Sequence, residues 1–321
     1  MKLKFKFTFN WALLIILVVL FTVIACINDV FLSFDYLIGV MLRNIVEIGM
    51  MALPSTLIII TGGIDLSTGS TLVLSAMIGG LAAAQGGNAL GITVALLVGM
   101  GCGLFNGVLI AKIKISPLVT TLATMYLYMG LARSISKGDS VYSYDATGWL
   151  GNTEFANIPV QIFIYILFAI IFLFLLSRTT LGRKLYAIGL NENATVYCGI
   201  NTDNIKIIIY FLSGLVCAIA GFIWLGRFTS VKYDAGTSLA LKIVTVIVLG
   251  GTSIMGGIGD MKGTILATLI IAVLNSGLTV LEIPIAAQTI VQGVVLVISL
   301  ISYFIIHERM GKGRVIAVKA V

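Results

Sequence analysis

The chain has 321 residues, of which 59% are hydrophobic and only 10% are charged, and its formal net charge is +7. Soluble domains carry about 25% charged residues, so this composition excludes an ordinary soluble protein and indicates a chain that lies in a lipid bilayer. Apolar runs of about 20 residues, each able to span the hydrocarbon core as a helix, recur along the whole length and leave little sequence for a separate soluble domain. We therefore predict an all-α polytopic membrane protein, with residues 1–321 forming a single transmembrane domain.

The apolar runs predict about ten transmembrane helices. The predicted spans are 11–29, 38–61, 70–86, 89–111, 118–136, 159–177, 207–226, 238–254, 263–281 and 286–306. The first span follows three lysines and resembles a secretory signal. It lacks a convincing cleavage site and many spans follow it, so we expect it to remain in the mature protein.

Basic residues are distributed unevenly between the two sides of these spans. If the chain starts in the cytoplasm, most of the 20 lysines and arginines fall on inner segments. The outer loops then hold only Arg133, Lys137, Arg227 and Lys232. This positive-inside bias predicts that both termini are cytoplasmic. The positive net charge is therefore explained by the membrane topology, and it gives no reason to expect a nucleic-acid partner.

The second predicted span contains Arg43, Glu47 and Pro54, so the number of helices between residues 36 and 70 stays open. This segment can begin as an interfacial helix. Arg43 and Glu47 are four residues apart, which places them on one helical face, and we expect them to neutralise each other. A role in transport is the alternative.

The stretch "TGGIDLSTGS" at 61–70 interrupts two apolar runs with glycines, an acid and hydroxyl side chains. Backbone that leaves the helix at membrane depth needs hydrogen bonds from protein or from water in a cavity, and transporters place gates and pathways at such breaks. We expect Asp65 or Ser67 to cap the third span while the glycines adopt positive φ. A contact between Asp65 and the cargo, and a proton or ion site, are the alternatives.

Small residues recur every four positions in the fourth predicted span. They are Gly91, Ala95, Gly99, Gly103, Gly107 and Ala111. Such a stripe lets a neighbouring helix approach closely, so we predict a packing role for it.

A second glycine-rich break, "LGGTSIMGGIGDMKGT", follows at 249–264 and also falls on the predicted inner side. It is not a phosphate-binding loop, because Lys262 precedes Gly263 instead of following a glycine and preceding a serine or threonine. Any energy from ATP would therefore have to come from a partner.

Cysteine and histidine usage argues against two kinds of site. Three of the four cysteines fall in apolar spans and Cys198 lies in an inner loop, so no disulfide framework is expected. His307 is the single histidine, which leaves no imidazole-based metal site, and no metal is expected.

The longest inner loop, at about 178–206, is too polar to cross the membrane. Within it "NENATVYCGI" predicts a short helix, with Asn191 as its cap and Gly199 as its stop. A short helix on the cytoplasmic face suits docking on a soluble partner. An ordinary amphipathic connector is the alternative.

Four stretches together resemble the permease subunits of bacterial sugar-type ABC importers, the group that serves ribose, xylose, galactose, rhamnose and the autoinducer-2 signal. They are "TGGIDLSTGS" at 61–70, "GLFNGVLIAKIKISPLVTTLAT" at 103–124, "LGRKLYAIGLNENATVYCGI" at 181–200 and "VLGGTSIMGGIGDMKGTILATLIIAVLNSGL" at 248–278. They lie in the family's order, cover nearly the whole chain and are highly specific as a set.

The resemblance implies a core of two permease subunits in the bacterial inner membrane. Cytoplasmic subunits that bind ATP and Mg would drive this core, and an external sugar-binding protein would feed it. This chain would be a transport subunit that binds no cofactor and is not an enzyme. Two rivals stay open: a secondary transporter coupled through Glu47 or Asp65, and an intramembrane enzyme, for which the sequence supplies no nucleophile and base.

The resemblance also assigns residues to the contact with the ATPase. They are Asn191, Glu192, Asn193, Ala194 and Gly199. The chain departs from the family pattern at Asn193, where a second acid is common, and at Thr195, where alanine is usual. Before the second break it has Lys242 where an acidic element is common, so a heterodimer with a different permease stays open beside a homodimer.

We expect the cargo to move by alternating access, with the spans around the two breaks rocking as ATP closes the partner subunits. A polyol cargo needs hydroxyl and amide groups more than fixed charges. The candidate pathway residues are Asn44, Asp65, Ser67, Asn106 and Asn275. Hydrogen bonding between helices is the alternative for each of them.

Overall fold

The computed structural model describes residues 9–284, 286–295, 297–298 and 301. The N-terminal lysines, His307, the end of the tenth predicted span and the basic C-terminus lie outside the described residues.

The N-terminal half is built from long helices and one irregular segment. Helix α1 covers Phe9–Ile27 and is followed by a 3-10 turn at Asp29–Leu32, a π-helical stretch at Asp35–Leu42 and another 3-10 turn at Arg43–Ile45. Then come α2 (Val46–Ile60), α3 (Thr68–Ala111) and α4 (Pro117–Ile135).

The C-terminal half adds shorter elements between its helices. In order these are β1 (Val141–Tyr142), α5 (Asp145–Asn152), β2 (Glu154–Phe155), β3 (Ile158–Pro159), α6 (Val160–Arg178), α7 (Thr180–Leu190), α8 (Glu192–Tyr197), α9 (Thr202–Phe228), β4 (Ser230–Val231), α10 (Leu239–Leu249), α11 (Met261–Val280) and α12 (Ala286–Val295). Strand β1 pairs antiparallel with β4, and β2 pairs antiparallel with β3.

Within the described residues, 6 helical segments are long and apolar enough to cross a membrane. They are Phe9–Ile27, Asp35–Ile60, Thr68–Ala111, Val160–Arg178, Thr202–Phe228 and Met261–Val280. The predicted count of about ten is therefore not confirmed. Part of the difference lies in α3, which joins two predicted spans, and in α10, which is only 11 residues long.

Helix α3 turns back on itself where the sequence separates the spans 70–86 and 89–111. Gly86 and Gly87 leave the helical conformation, and Gly87 has φ +79°, which glycine adopts without steric cost. The two halves pack closely, because a Cβ added at Gly91 would lie 2.6 Å from the Cβ of Ala83.

Helix α2 lies at the centre of the fold. All of its 15 residues are buried, and it packs against α6, α9, α10 and α11. A helix without a polar face is typical of a protein core or of a membrane span. In contrast, α1, α4 and α6 expose large apolar side chains, such as Val18, Leu127 and Ile170, to the surrounding lipid.

The stripe of small residues packs α3 against α9, as predicted. A Cβ added at Gly103 would lie 2.2 Å from the carbonyl oxygen of Tyr210, and one added at Gly99 would lie 2.6 Å from the Cβ of Ala218. The two backbones can approach this closely only without larger side chains.

The loops gather at two ends of the molecule. One end holds the segments 61–67, 112–116, 179–201 and 250–260, which we call the inner end after the predicted topology. Its segments are joined to one another, for example by a hydrogen bond from Gly257 N to Ile60 O of 2.8 Å. The other, outer end holds the β1–β4 pair and α5, whose Ala146 N donates to Asn88 Oδ1 at 3.3 Å.

The predicted pairing of Arg43 with Glu47 is wrong. Glu47 Oε2 instead accepts from Arg227 Nη1 at 3.1 Å, and Arg43 Nη2 donates to the carbonyl oxygen of Gly151 at 2.5 Å and to Asn152 Oδ1 at 3.1 Å. The four-residue spacing fails because Arg43 lies in a 3-10 turn before α2 begins at Val46, so the two side chains do not share a regular α-helical face.

Candidate functional site

The first break, 61–67, joins α2 to α3 without regular structure. Gly62 has the predicted positive φ, +82°. Asp65 Oδ1 accepts from Ser67 N at 2.9 Å and from Ser67 Oγ at 2.7 Å. The capping prediction is wrong, because the N-cap residue Ser67 makes no side-chain cap hydrogen bond and Asp65 binds the amide of Ser67 itself. This amide belongs to the residue before the helix and not to its first turn.

Three of the predicted pathway residues meet in one buried network. Asn106 Nδ2 donates to Ser67 Oγ at 2.8 Å, and Ser67 Oγ contacts Asp65. Ser213 Oγ of α9 lies 3.4 Å from Asp65 Oδ2, and Tyr128 OH of α4 lies 3.4 Å from Asn106 Oδ1. The network ties the first break to α3, α4 and α9.

The other two predicted pathway residues lie elsewhere. Asn44 is exposed at the outer end, where its Oδ1 accepts from Arg227 Nη2 at 2.9 Å. Asn275 lies in α11 and its Oδ1 accepts from Gln292 Nε2 at 2.9 Å. The structure does not bring either one to Asp65, and the pathway role of all five residues stays a prediction.

The two buried acids have different surroundings. Glu47 is 1% exposed and is paired with the guanidinium of Arg227, whereas Asp65 is 7% exposed and contacts only hydroxyl and amide groups. An unpaired buried ion costs several kcal/mol, and a helix N-terminus offsets at most about 2 kcal/mol of that cost. Burial therefore dominates the electrostatics of Asp65.

The second break, 250–260, connects α10 to α11. Gly251, Gly256 and Gly257 all have positive φ, which lets the chain turn twice within a few residues. Asp260 caps α11, because its Oδ1 accepts from Lys262 N at 3.1 Å. Its other oxygen, Oδ2, accepts from Asn10 Nδ2 at 2.6 Å, so the start of α1 is tied to this break.

The two breaks touch each other, and α7 touches the second break and Ile60, the last residue of α2 before the first break. Beyond the bond from Gly257 N to Ile60 O, a Cβ added at Gly189 of α7 would lie 1.9 Å from Ile60 O and 2.3 Å from Gly257 N. Tyr186 OH of α7 donates to Gly259 O at 2.8 Å. Helix α7 is therefore packed against the second break and against the end of α2 that leads into the first break.

Helix α8 follows α7 after the single residue Asn191. As predicted, Asn191 caps α8, with its Oδ1 accepting from Ala194 N at 2.9 Å, and Gly199, with φ +80°, ends the turn that follows it. Glu192 Oε2 pairs with Lys206 Nζ at 2.6 Å, which fixes α8 to the start of α9.

Apolar side chains around α8 are exposed at the inner end. We call Leu190, Val196, Tyr197, Met255 and Ile258 the inner apolar surface. Tyr197 is 90% exposed, and Leu190 contacts the second break beside Gly257. Exposed apolar groups next to a break, in a loop too polar to enter lipid, are typical of a protein-binding surface.

Comparison with known proteins identifies the family. Residues 37–300 match the family described as "Branched-chain amino acid transport system / permease component". The chain belongs to this permease family.

The permease is similar to import permeases along most of its length. It is 35% identical over 308 residues to the ribose import permease protein RbsC of Escherichia coli (strain K12), covering 92% of this chain and 95% of the relative. It is 36% identical over 289 residues to RbsC of Bacillus subtilis (strain 168), covering 89% of each chain. It is 34% identical over 304 residues to the autoinducer 2 import system permease protein LsrD of Klebsiella pneumoniae, covering 92% of this chain and 91% of the relative. No solved structure matches the chain.

These relatives confirm the resemblance that the four stretches predicted. The permease is a multi-pass membrane protein of the inner membrane and a transport subunit, not itself an enzyme.

Sequence reasoning missed the contact of α7 with the second break and with the end of α2. Tyr186 and Gly189 both lie in the stretch 181–200 that carried the resemblance, but neither was singled out. A glycine in the last turn of a helix is a signal for close backbone approach, although it does not show what approaches.

Proposed function

We propose that this permease is the membrane-spanning subunit of an ATP-driven importer that moves a sugar or sugar-like molecule inward by alternating access. Separate ATPase subunits, with ATP and Mg, would power it, and this chain would bind no cofactor. Residues 1–321 would form one permease domain with both termini in the cytoplasm. The observation that carries the proposal is the position of α7, which contacts the second break and the end of α2 that leads into the first break, and which leads directly into α8.

The inner apolar surface would be the docking site for the ATPase. When the ATPases close, they would push α8, and the capped junction at Asn191 would transmit this movement to α7. Tyr186 and Gly189 would then displace the second break and the first break together. The spans that the breaks connect would tilt as a result.

The cargo would be neutral and rich in hydroxyl groups, because the polar side chains of the first break are mostly hydroxyls and amides. The relatives import ribose and autoinducer 2 by name, which agrees with this class. Movement of the first break would expose Ser67 and Asn106 to the pathway. An external binding protein would deliver the cargo, and a second permease, a copy or a paralogue, would form the other wall.

Tyr197→Ala tests the docking role. Tyr197 is almost fully exposed, so its removal should leave the fold intact but remove an aromatic anchor from the proposed interface. In liposomes that contain the partner subunits, we expect ATP-dependent uptake to fall about tenfold or more. Tyr126→Ala is the matched control, because Tyr126 is an exposed tyrosine that lies in α4, outside the inner apolar surface.

Two results would contradict the proposal. Normal uptake by Tyr197→Ala would show that α8 does not dock the ATPase. Uptake that persists without the ATPase subunits but vanishes with the proton gradient would show a secondary transporter.

A further inference from the structure

Asp65 is a buried acid without an ionic partner. Within the described part of the chain, no salt bridge includes Asp65, although Glu47, buried to a similar extent, has one with Arg227. A charge on Asp65 would therefore stand uncompensated at the point where α2 and α3 separate.

The hydrogen bonds assign different roles to the two carboxyl oxygens. The amide nitrogen of Asn106 can only donate, so Ser67 Oγ accepts from it and directs its own hydrogen to Asp65 Oδ1. Oδ1 also accepts from Ser67 N. Oδ2 has a single contact, a long one of 3.4 Å to Ser213 Oγ. Oδ1 behaves as a carbonyl oxygen, and Oδ2 has room for a hydrogen.

The groups around Asp65 supply no positive charge. The titratable side chains near enough to sense its charge are Cys102 of α3, Tyr128 of α4, and Tyr210 and Cys217 of α9. Each of them is neutral when protonated and anionic when it loses its proton, so none supplies a positive charge that could pair with a carboxylate at Asp65.

We propose that the first break is a proton-binding site, in which the Asp65 carboxyl group is neutral at neutral pH and carries its hydrogen on Oδ2, facing Ser213 Oγ. Water that entered an opened break would solvate the carboxylate and favour release of the proton. The closed break therefore binds the proton more tightly than the open one, and acid favours the closed arrangement. The proposal goes beyond the proposed function and depends on neither the cargo nor the ATPase.

Infrared spectroscopy of the full-length permease in lipid nanodiscs tests the proposal. A neutral carboxylic acid has a C=O stretching band that an ionised carboxylate lacks. At neutral pH we expect this band in the unmodified protein and its loss in Asp65→Asn, whose amide is nearly the same size. Asp203→Asn is the matched control, because Asp203 pairs with Lys112 and Lys114 and should contribute no such band.

A second variant guards against misfolding. Asp65→Glu keeps an acid at the break and should shift the band without removing it. Identical spectra in the carboxylic-acid region for the unmodified protein and a folded Asp65→Asn would overturn the proposal, as would an unshifted band in Asp65→Glu. Neither spectrum involves transport, so this outcome is independent of the outcome for Tyr197→Ala.

Discussion

At the scale of single residues, Tyr186 connects the inner loop to the second break through a side-chain hydrogen bond. Its hydroxyl donates to Gly259 O, and the residue lies in α7, the helix that precedes α8. Burial, with a smaller contribution from the charge of Asp260, raises the pKa of Tyr186. The hydroxyl therefore keeps its hydrogen at physiological pH and remains a donor.

Tyr186→Phe removes this hydrogen bond and keeps the ring. The loss of one such bond costs about 0.5–1.5 kcal/mol of folding free energy, so we expect a small decrease in melting temperature. If the bond transmits movement, uptake per ATP hydrolysed should fall while ATPase activity remains. An unchanged ratio of uptake to hydrolysis would assign Tyr186 a structural role only.

The sequence could predict contacts between residues that lie within a few positions of each other along the chain. The cap at Asn191, the stop at Gly199 and the positive φ of Gly62 follow from local chemistry, and the structure confirms them. The partner of Glu47 could not be predicted, because Arg227 is 180 positions away in sequence. Local spacing cannot choose between a near and a distant partner.

At the scale of helices, close backbone contacts join the moving parts. Gly189 brings α7 against the second break and the end of α2, and the glycine stripe brings α3 against α9. A side chain at either place would force the elements apart. The two contacts differ in what they hold: the first joins the loop to the breaks, and the second holds two spans together.

Gly189→Ala tests the first of these contacts. The added Cβ would meet backbone atoms that cannot yield, so we expect a loss of about 1–3 kcal/mol in unfolding free energy and a large decrease in uptake. Gly101→Ala in α3 is the control, because nothing lies within 4 Å of its Cβ position. It should keep full uptake and stability, since alanine favours a helix. Equal behaviour of the two variants would contradict the close contact at Gly189.

Long apolar helices were predicted well, and of the short polar helices α8 was predicted but α5 was not. The regions of α1, α6, α9 and α11 follow from their apolar runs, and Gly86 and Gly87 mark where α3 turns. Helix α5 was not predicted, because "DATGWLGN" has no apolar run. Its position depends on packing against α9, which the local sequence does not show.

At the scale of the whole molecule, the inner end combines both breaks, α7, α8 and the start of α1. The fully buried α2 runs from the Arg227–Glu47 pair at the outer end to the first break at the inner end. A single buried helix therefore connects the inner end to the outer end. The orientation of the chain across the membrane is predicted from the distribution of lysines and arginines alone. Docking of a cytoplasmic ATPase on α8 requires this orientation.

Labelling of Cys198 tests that direction and the central claim most directly. Cys198 is exposed just after α8, whereas Cys102 and Cys217 are buried. Cys26 is also exposed, near the end of α1, so the labelling is done in a Cys26→Ser background. A membrane-impermeant maleimide should label the permease in inside-out vesicles but not in intact spheroplasts, and Cys198→Ser should abolish the label. Labelling of Cys198 in intact spheroplasts would place α8 outside the cell, where no cytoplasmic ATPase could reach it.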